Sequence, residues 1–544
     1  MNLRELESNF KKNIFNNEDD IKIHFHSDII KPLLEELNPE MAGQYHSEDV
    51  LKAGGRTDAT FQNISFEFKK ERYFNKASGV SEAVYGRDST DHGLHDYILS
   101  NAGICVNDKI DTKVKKILSG IGVGFDGKQF IFARFIPSTQ KNVLDTSKVK
   151  VNINEAVNID FTYEVKDFSR GIKRLALLLR QTDKISLSKQ MLCAVINPKS
   201  DYVRGSILTI YNNLGDNLDT TKDTFNNRVK TLYDEWNRVF GVMYGDDEDA
   251  TDFTEVSSKI REMYGISDSF EIDSKRYLFS MQTFFNIFLK LLVYSFLAQL
   301  VDPMFTTQQE LTKDEINRLF DGNTYASCKL VNNFFESHFL EWFTFTANIN
   351  DPESSFDVKM INETLEVVNK FDLSTFVLRP ENVQDILQEV YMGLIPQEMR
   401  HLMGEYFSPD WIVEHVLDMV GYTGDISKTL IDPTAGSGTF LTQAIKRIIN
   451  QKGGVLNKTD IINITQNIVG FDINPISVVS AKANYILIMF SAFFDNCDEE
   501  FGDSVGVPVF IADSILAPVV YTEENDDTLK LETTVGEIEI PKFD

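Results

Sequence analysis

Three aspartates close short apolar runs: Asp432 after Leu430-Ile431, Asp472 after Val469-Gly470-Phe471, and Asp513 after Phe510-Ile511-Ala512. In an open α/β sheet, ligands bind beyond the carboxyl ends of the strands, so acids at those positions face a ligand crevice. Between the first run and the next helical stretch lies Pro433-Thr434-Ala435-Gly436-Ser437-Gly438. Gly436 and Gly438 allow a tight turn and a close backbone approach to a ligand that side chains would exclude. A second constellation is Asp58 with Glu67 and Lys69. Alternation along a strand puts Glu67 and Lys69 on one face and Phe68 on the other. Two carboxylates suit a hard cation such as Mg²⁺. A lysine beside them can orient or activate water for phosphodiester hydrolysis.

The elements that must position these groups can be read from the patterning. Residues 429–431, 467–471 and 507–512 are predicted strands, with helices over 440–449 and 476–490 between them, the alternation of a doubly wound parallel sheet. The Asp432-to-Asp472 interval is longer than the usual gap of about 20 residues in dinucleotide folds, and an insertion around 453–460 accounts for the difference. Residues 21–37 are helical in pattern, with Pro32 expected to kink or restart the helix. Residues 64–69 alternate with period two, as a half-buried strand does. Residues 119–135 read as a hairpin about Phe125-Asp126-Gly127-Lys128. Residues 150–400 are mostly helical. The expected organisation is α/β and multidomain: a first domain over 1–140, a helical connector over 150–400 and a Rossmann-like domain over 401–544.

The hydrophobic share, 42% of 544 residues, is ample for globular cores. Cys105, Cys193, Cys328 and Cys497 form no CxxC pair, which excludes a zinc ribbon and points to a reducing, cytoplasmic setting. Residues 277–300 are strongly apolar but contain Gln282, Thr283, Asn286, Lys290 and Gln299, so they read as a buried amphipathic helix and no membrane partner is expected. The net charge of −28 opposes phosphate binding. Acid concentrates at 18–20, 246–252 and 498–500, whereas Lys166, Arg170, Lys173, Arg174, Arg180, Lys184 and Lys189 make one basic stretch. That stretch reads equally as a solvated helix face or a phosphate-contacting one. No role is assigned to His24, His26, His46, His92 or His95.

The glycine loop followed by two further acidic strand ends resembles the amino-group DNA methyltransferases, specifically the adenine-N6 class. The resemblance implies that Asp432 and the loop of Pro433, Gly436 and Gly438 cradle the methionine part of S-adenosylmethionine. It implies that Asp472, in Gly470-Phe471-Asp472-Ile473-Asn474-Pro475, accepts from the ribose hydroxyls, and that Asp513 takes the adenine amine. Gly404-Glu405-Tyr406-Phe407-Ser408-Pro409 resembles the motif that precedes the first in this class, with Tyr406 and Phe407 walling the pocket. The family's Asn/Asp-Pro-Pro-Tyr/Phe tetrapeptide, which holds a flipped base, does not occur in this sequence. Ile540-Pro541-Lys542-Phe543-Asp544 resembles the approach to the strand that carries it. The expectation is an incomplete methyltransferase domain whose other half, with target recognition, lies on a second polypeptide, and an isolated chain that methylates no DNA.

Gly54-Gly55-Arg56-Thr57-Asp58, Ile29-Ile30-Lys31-Pro32-Leu33-Leu34 and Gly122-Val123-Gly124-Phe125-Asp126-Gly127 resemble segments of restriction subunits with a restriction-endonuclease-like fold. The resemblance implies that Asp58 and Glu67 bind Mg²⁺ and that Lys69 acts on the attacking water, with Glu18 or Glu35 as a further helix acid. Residues 277–296 and 385–400 resemble the connector of fused restriction-modification enzymes of type IIG or type I-like organisation. The expected function is adenine-N6 methylation of double-stranded DNA coupled to Mg²⁺-dependent cleavage. Two alternatives stay open: a modification-only methyltransferase subunit, and a non-catalytic, cofactor-sensing subunit of a DNA-processing complex.

Overall fold

Pro32 has no backbone N–H to give, and its ring crowds the carbonyl of Asp28, so an unbroken α-helix through it is disfavoured. The computed structural model of the chain shows how the backbone gets past. Helix α1 (Glu18–Phe25) passes into a π-helical turn at His26–Ile30 and then into α2 (Lys31–Leu37). The Lys31 N–H reaches back to the His26 carbonyl, the wide spacing of a π turn. The helical run continues through the proline by way of this π turn.

The structure describes residues 3–37, 39, 43, 45–47, 57–88, 91–137, 157–181, 185–186, 189–244, 253–267, 269–301, 310–320, 331, 333–335, 338–346, 353, 355–372, 386–397, 400, 407–496, 505–514, 519–520, 528–533 and 536–541. The chain divides into two units, Met1–Lys184 and Ile185–Asp544.

The first unit is built on a six-stranded mixed sheet in sequential order: β1 (Tyr45–Ser47), β2 (Ala59–Phe61), β3 (Ile64–Phe68), β4 (Ile121–Phe125), β5 (Phe130–Pro137) and β6 (Val157–Val165). Only β3 and β4 pair in parallel, because the helices between them, among them α3 (Leu94–Asn101), carry the chain back across the sheet. All five residues of β3 are buried, so the period-two pattern marks a central strand covered on both faces and not a half-buried one. On one face Phe66 and Phe68 meet Phe25 of α1, which lies 4.6 Å from Phe125 between ring centroids. The hairpin expected about Asp126 is present. Asp126 Oδ1 accepts from the Lys128 and Gln129 N–H groups, and Oδ2 accepts from Phe74 N–H across the sheet end.

The unit extends beyond residue 140 because β6 pairs along β5, and α4 (Phe168–Gln181) then stacks Phe168 on Phe10. On α4, Arg174 is buried whereas Arg170 is exposed, so the basic stretch is not one uniform face.

The second unit is organised around α5 (Ser274–Val301). Residues 277–298 are buried on every side, which replaces the expected amphipathic face with a wholly enclosed helix. Four of its polar residues make side-chain hydrogen bonds inside the core. Gln282 accepts from the Trp236 indole, Thr283 from the Trp342 indole, and Asn286 and Lys290 both donate to the buried Glu341. Segments 274–298 and 475–494 are long and apolar enough to cross a membrane, and both are wholly buried within the protein.

Helices α6 (Phe356–Asn369) and α7 (Ile386–Leu394) follow. A parallel sheet then has the order β9-β8-β7, with β7 (Leu430–Asp432), β8 (Ile468–Asp472) and β9 (Val509–Ile511). The first crossover holds two helices, α8 (Thr439–Gln451) and Lys458–Asn467. The second helix starts on a reciprocal cap between Asn457 and Asp460, and it is the insertion that lengthens the Asp432-to-Asp472 interval. The next crossover is α9 (Pro475–Asn496). Segment 331–335 flanks β9: Val331 bridges Val505, and the Asn333 amide both donates to and accepts from the Val507 backbone, at 2.9 and 2.8 Å. Residues Gly536–Pro541 pair antiparallel with Thr528–Thr533 and do not join the parallel sheet.

Candidate functional site

Strand β7 delivers Asp432 to the sheet edge opposite Gly470 of β8, and β8 ends two residues on at Asp472. A side chain at Gly470 would collide with Leu441 at 2.7 Å, so glycine there lets α8 seat closely on the strand. The loop after Asp432 is tied to β8 by two bonds. Ala435 N–H donates to the Phe471 carbonyl at 2.7 Å, and Gly436 N–H donates to Asp472 Oδ2 at 2.8 Å. Gly436 and Gly438 both have positive φ, +53° and +86°. At Gly438 a side chain would press on Ala481 of α9; above Gly436 nothing lies within 4 Å. One glycine is therefore required by packing, and the other leaves an open approach to the loop backbone.

Burial raises the carboxyl of Asp432 to about 6, opposed by the Thr434 N–H and reinforced by the charge of Asp472. Burial also raises Asp472, against N–H groups of Asn474 and Gly436. Both acids are thus short of compensating charge, as expected where a polar ligand is to complete the set. Asp513 lies two residues past β9, where Ala512 N–H donates to the Asp472 carbonyl, so all three sequence-predicted acids fall at one end of the sheet. Pro433 is exposed in the turn. Tyr406 lies outside the described residues. Phe407 lines a narrow crevice, too tight in this structure to admit a water molecule, together with Ser437 of the loop, Ser477 and Ser480 of α9, and Gln388 and Tyr391 of α7. Sequence reasoning missed Gln388, Tyr391 and the two α9 serines, since no motif or periodicity distinguishes them from neighbouring core positions.

In the first unit, β3 brings the other predicted constellation together. Asp58 Oδ2 accepts from the Phe68 N–H at 2.7 Å, which fastens the loop carboxylate to the strand bearing Glu67. Lys69 pairs with Glu67, and Lys22 of α1 lies 4.0 Å from Asp58. The Tyr97 hydroxyl of α3 lies near Glu67 and favours its charged form, an influence with no signal in the sequence. Burial pushes Glu67 up to about 8, and the charge of Asp58 pushes the same way. Asp58 is also raised by burial. Burial draws the Lys69 ammonium down, but Glu67 outweighs it and holds the group above its ordinary value. Glu18 accepts from Lys70 N–H at 3.3 Å at the strand end, whereas Glu35 sits exposed beside Lys31. His92 and His95 both bond Asp96. Among the described residues, no set of three or more His, Cys, Asp or Glu side chains is arranged as a metal cage. The pair Asp58 and Glu67 offers two carboxylates.

Residues 382–530 match the family model described as N-6 DNA Methylase. No curated protein matches the chain. Among solved structures, a chain of the DrdV–DNA complex determined by cryo-electron microscopy is similar at 12% identity, with a TM-score of 0.27, over 94% of this chain and 40% of that one. The chain therefore spans well under half the length of that neighbour. The glycine loop, Asp432, Asp472 and Asp513 all fall within the residues that this family model matches.

Proposed function

We propose that the protein is a restriction-modification protein that uses S-adenosylmethionine to methylate the exocyclic amine of adenine in double-stranded DNA and cleaves DNA with Mg²⁺. The observation that carries the methylation half is the Gly436 N–H bond to Asp472, which locks the glycine loop against the end of β8 inside the matched residues. The open space above Gly436 fits close approach of a ligand, and the two raised carboxyls fit its hydroxyl and ammonium donors. S-adenosylmethionine supplies a methyl group activated by sulfonium charge. Asp432, Pro433, Gly436 and Gly438 hold its methionine part, Asp472 its ribose, and Asp513 its adenine, with Tyr406 and Phe407 as the wall.

The cleavage half rests on Asp58, Glu67 and Lys69. The buried Glu67 and the half-buried Asp58, both raised by desolvation, fit a hard divalent cation. Bound there, Mg²⁺ supplies charge neutralisation at the scissile phosphate. Lys69 holds a proton beside Glu67 and orients the attacking water. A second polypeptide supplies the target-base motif and sequence recognition. Strand β7 supports that reading: among the described strands it has a neighbour on one side only, with Leu430 and Ile431 half-buried.

Calorimetric titration with S-adenosylmethionine tests the cofactor site. The wild-type chain is expected to bind, and Asp472→Ala to weaken binding at least about tenfold, the loss of a hydrogen bond to a charged group plus release of the loop. Absence of binding by the wild type would remove the methylation reading.

A further inference from the structure

Tyr391 lies outside the motifs singled out in the sequence, on α7, which falls near the start of the residues that the family model matches. It is nevertheless buried against the cleft that holds Phe407 and the loop residue Ser437. Its ring meets Phe407 edge to face, with centroids 6.3 Å apart and planes at 82°. From behind, Phe285 of α5 supports it at 5.3 Å. One turn on, the Leu394 carbonyl accepts from the buried Tyr264 hydroxyl at 2.7 Å, which fixes the end of α7. The aromatic pair is thus held in place from the core side, and its remaining contact surface is the cleft beside the glycine loop.

The chemistry of the proposed cofactor gives that wall a task. A sulfonium is a cation with no N–H or O–H to donate, so the carboxylates and amides that bind the rest of the molecule cannot hold it by hydrogen bonds. Aromatic rings attract a desolvated cation through their quadrupole. The thioether left after methyl transfer is neutral and gains nothing from this. We propose that Tyr391, with Phe407, forms an aromatic wall that selects the sulfonium form of the cofactor over the spent thioether, so that α7 is part of the cofactor pocket. The proposal rests on the cofactor reading above and adds to it a residue and a selectivity.

The test is calorimetry with S-adenosylmethionine and S-adenosylhomocysteine on the full chain. Tyr391→Leu is expected to weaken binding of the sulfonium about five- to tenfold more than binding of the thioether, the size of a desolvated cation–ring contact, and Tyr391→Phe to keep the wild-type ratio. Phe407→Leu, on the open side of the pair, gives the same narrowing and serves if Tyr391→Leu does not fold. An equal loss for both ligands, or no change of ratio in either leucine variant, overturns the aromatic selection while leaving the cofactor site standing. Failure of the wild type to bind either ligand overturns the site itself.

Discussion

Each unit sets a buried carboxylate beside a half-buried one, and the two pairs are neutralised by opposite means. Around Asp58 and Glu67 the counter-charges are side chains, Lys69 in a close ion pair and Lys22 at 4.0 Å, and burial, with the charge of Asp58 added to it, raises Glu67 to about 8. Around Asp432 and Asp472 the partners are main-chain N–H groups of Thr434, Gly436 and Asn474, and the rise at Asp432 is to about 6. Lysine side chains can shift when a cation enters; backbone amides cannot leave without undoing the loop. The first arrangement suits a site that exchanges one positive charge for another during hydrolysis. The second suits a preformed surface onto which a polar, closely fitting ligand settles.

Three substitutions would break or sharpen this contrast. The largest effect is expected at Lys69: Lys69→Ala should reduce Mg²⁺-dependent DNA cleavage by about 100-fold or more, in the range of a positioned acid–base group. Its S-adenosylmethionine affinity should stay at the wild-type value. Cutting at an undiminished rate in a gel assay would show that the first pair is structural. Tyr97→Phe comes next, because it removes the hydroxyl near Glu67 and leaves the ring packing. Cleavage is expected to fall about tenfold with an unchanged melting temperature, and a rate equal to wild type would free Glu67 from dependence on α3.

The smallest effect concerns stability. With Asp432 near 6 in the folded protein and 3.8 ordinarily, the native state keeps a proton that the unfolded chain has released between those values. Stability contributed by this group is therefore full below about pH 4 and is lost as pH rises through about 6. Asp432→Asn should flatten that decline, so its melting temperature should gain on wild type between pH 4 and 7; parallel curves would mean that Asp432 is not strained by burial.

The acids of the second pair were legible because strand ends announce themselves: an apolar run stops, an acid follows, and glycines appear where the backbone must turn. The Asp58–Glu67–Lys69 set was legible from spacing together with its flanking segments, since alternate positions at the end of one strand carry two of its three members. Other features depend on long-range packing, which leaves no local trace. Residues 64–68 alternate in sequence yet are buried on both faces, because α1 covers one side and α3 the other. Strand β6 joins its sheet only through pairing with β5, across a long interval that composition does not bridge. Tyr391 and Tyr97 look like ordinary core aromatics, and only the fold puts their edges beside a cleft and a carboxylate. The π turn was half legible: Pro32 forbids a regular helix, but whether the chain kinks or bulges depends on how Ile29 and Ile30 are packed.

The amide of Asn333 gives the third strand of the methylase sheet a partner from outside residues 382–530. Its two bonds to Val507 and the Val331–Val505 bridge act as a fragment of a neighbouring strand. The contacts that hold this sheet therefore extend beyond the stretch that the family model matches. Excised at its family boundaries, that stretch would lose the clamp on β9 and expose a Val507 N–H and C=O that the intact chain keeps paired. The matched stretch and the bonded unit part company at this asparagine, and a shortened version of the domain would have to reach back to residue 331 to keep these contacts.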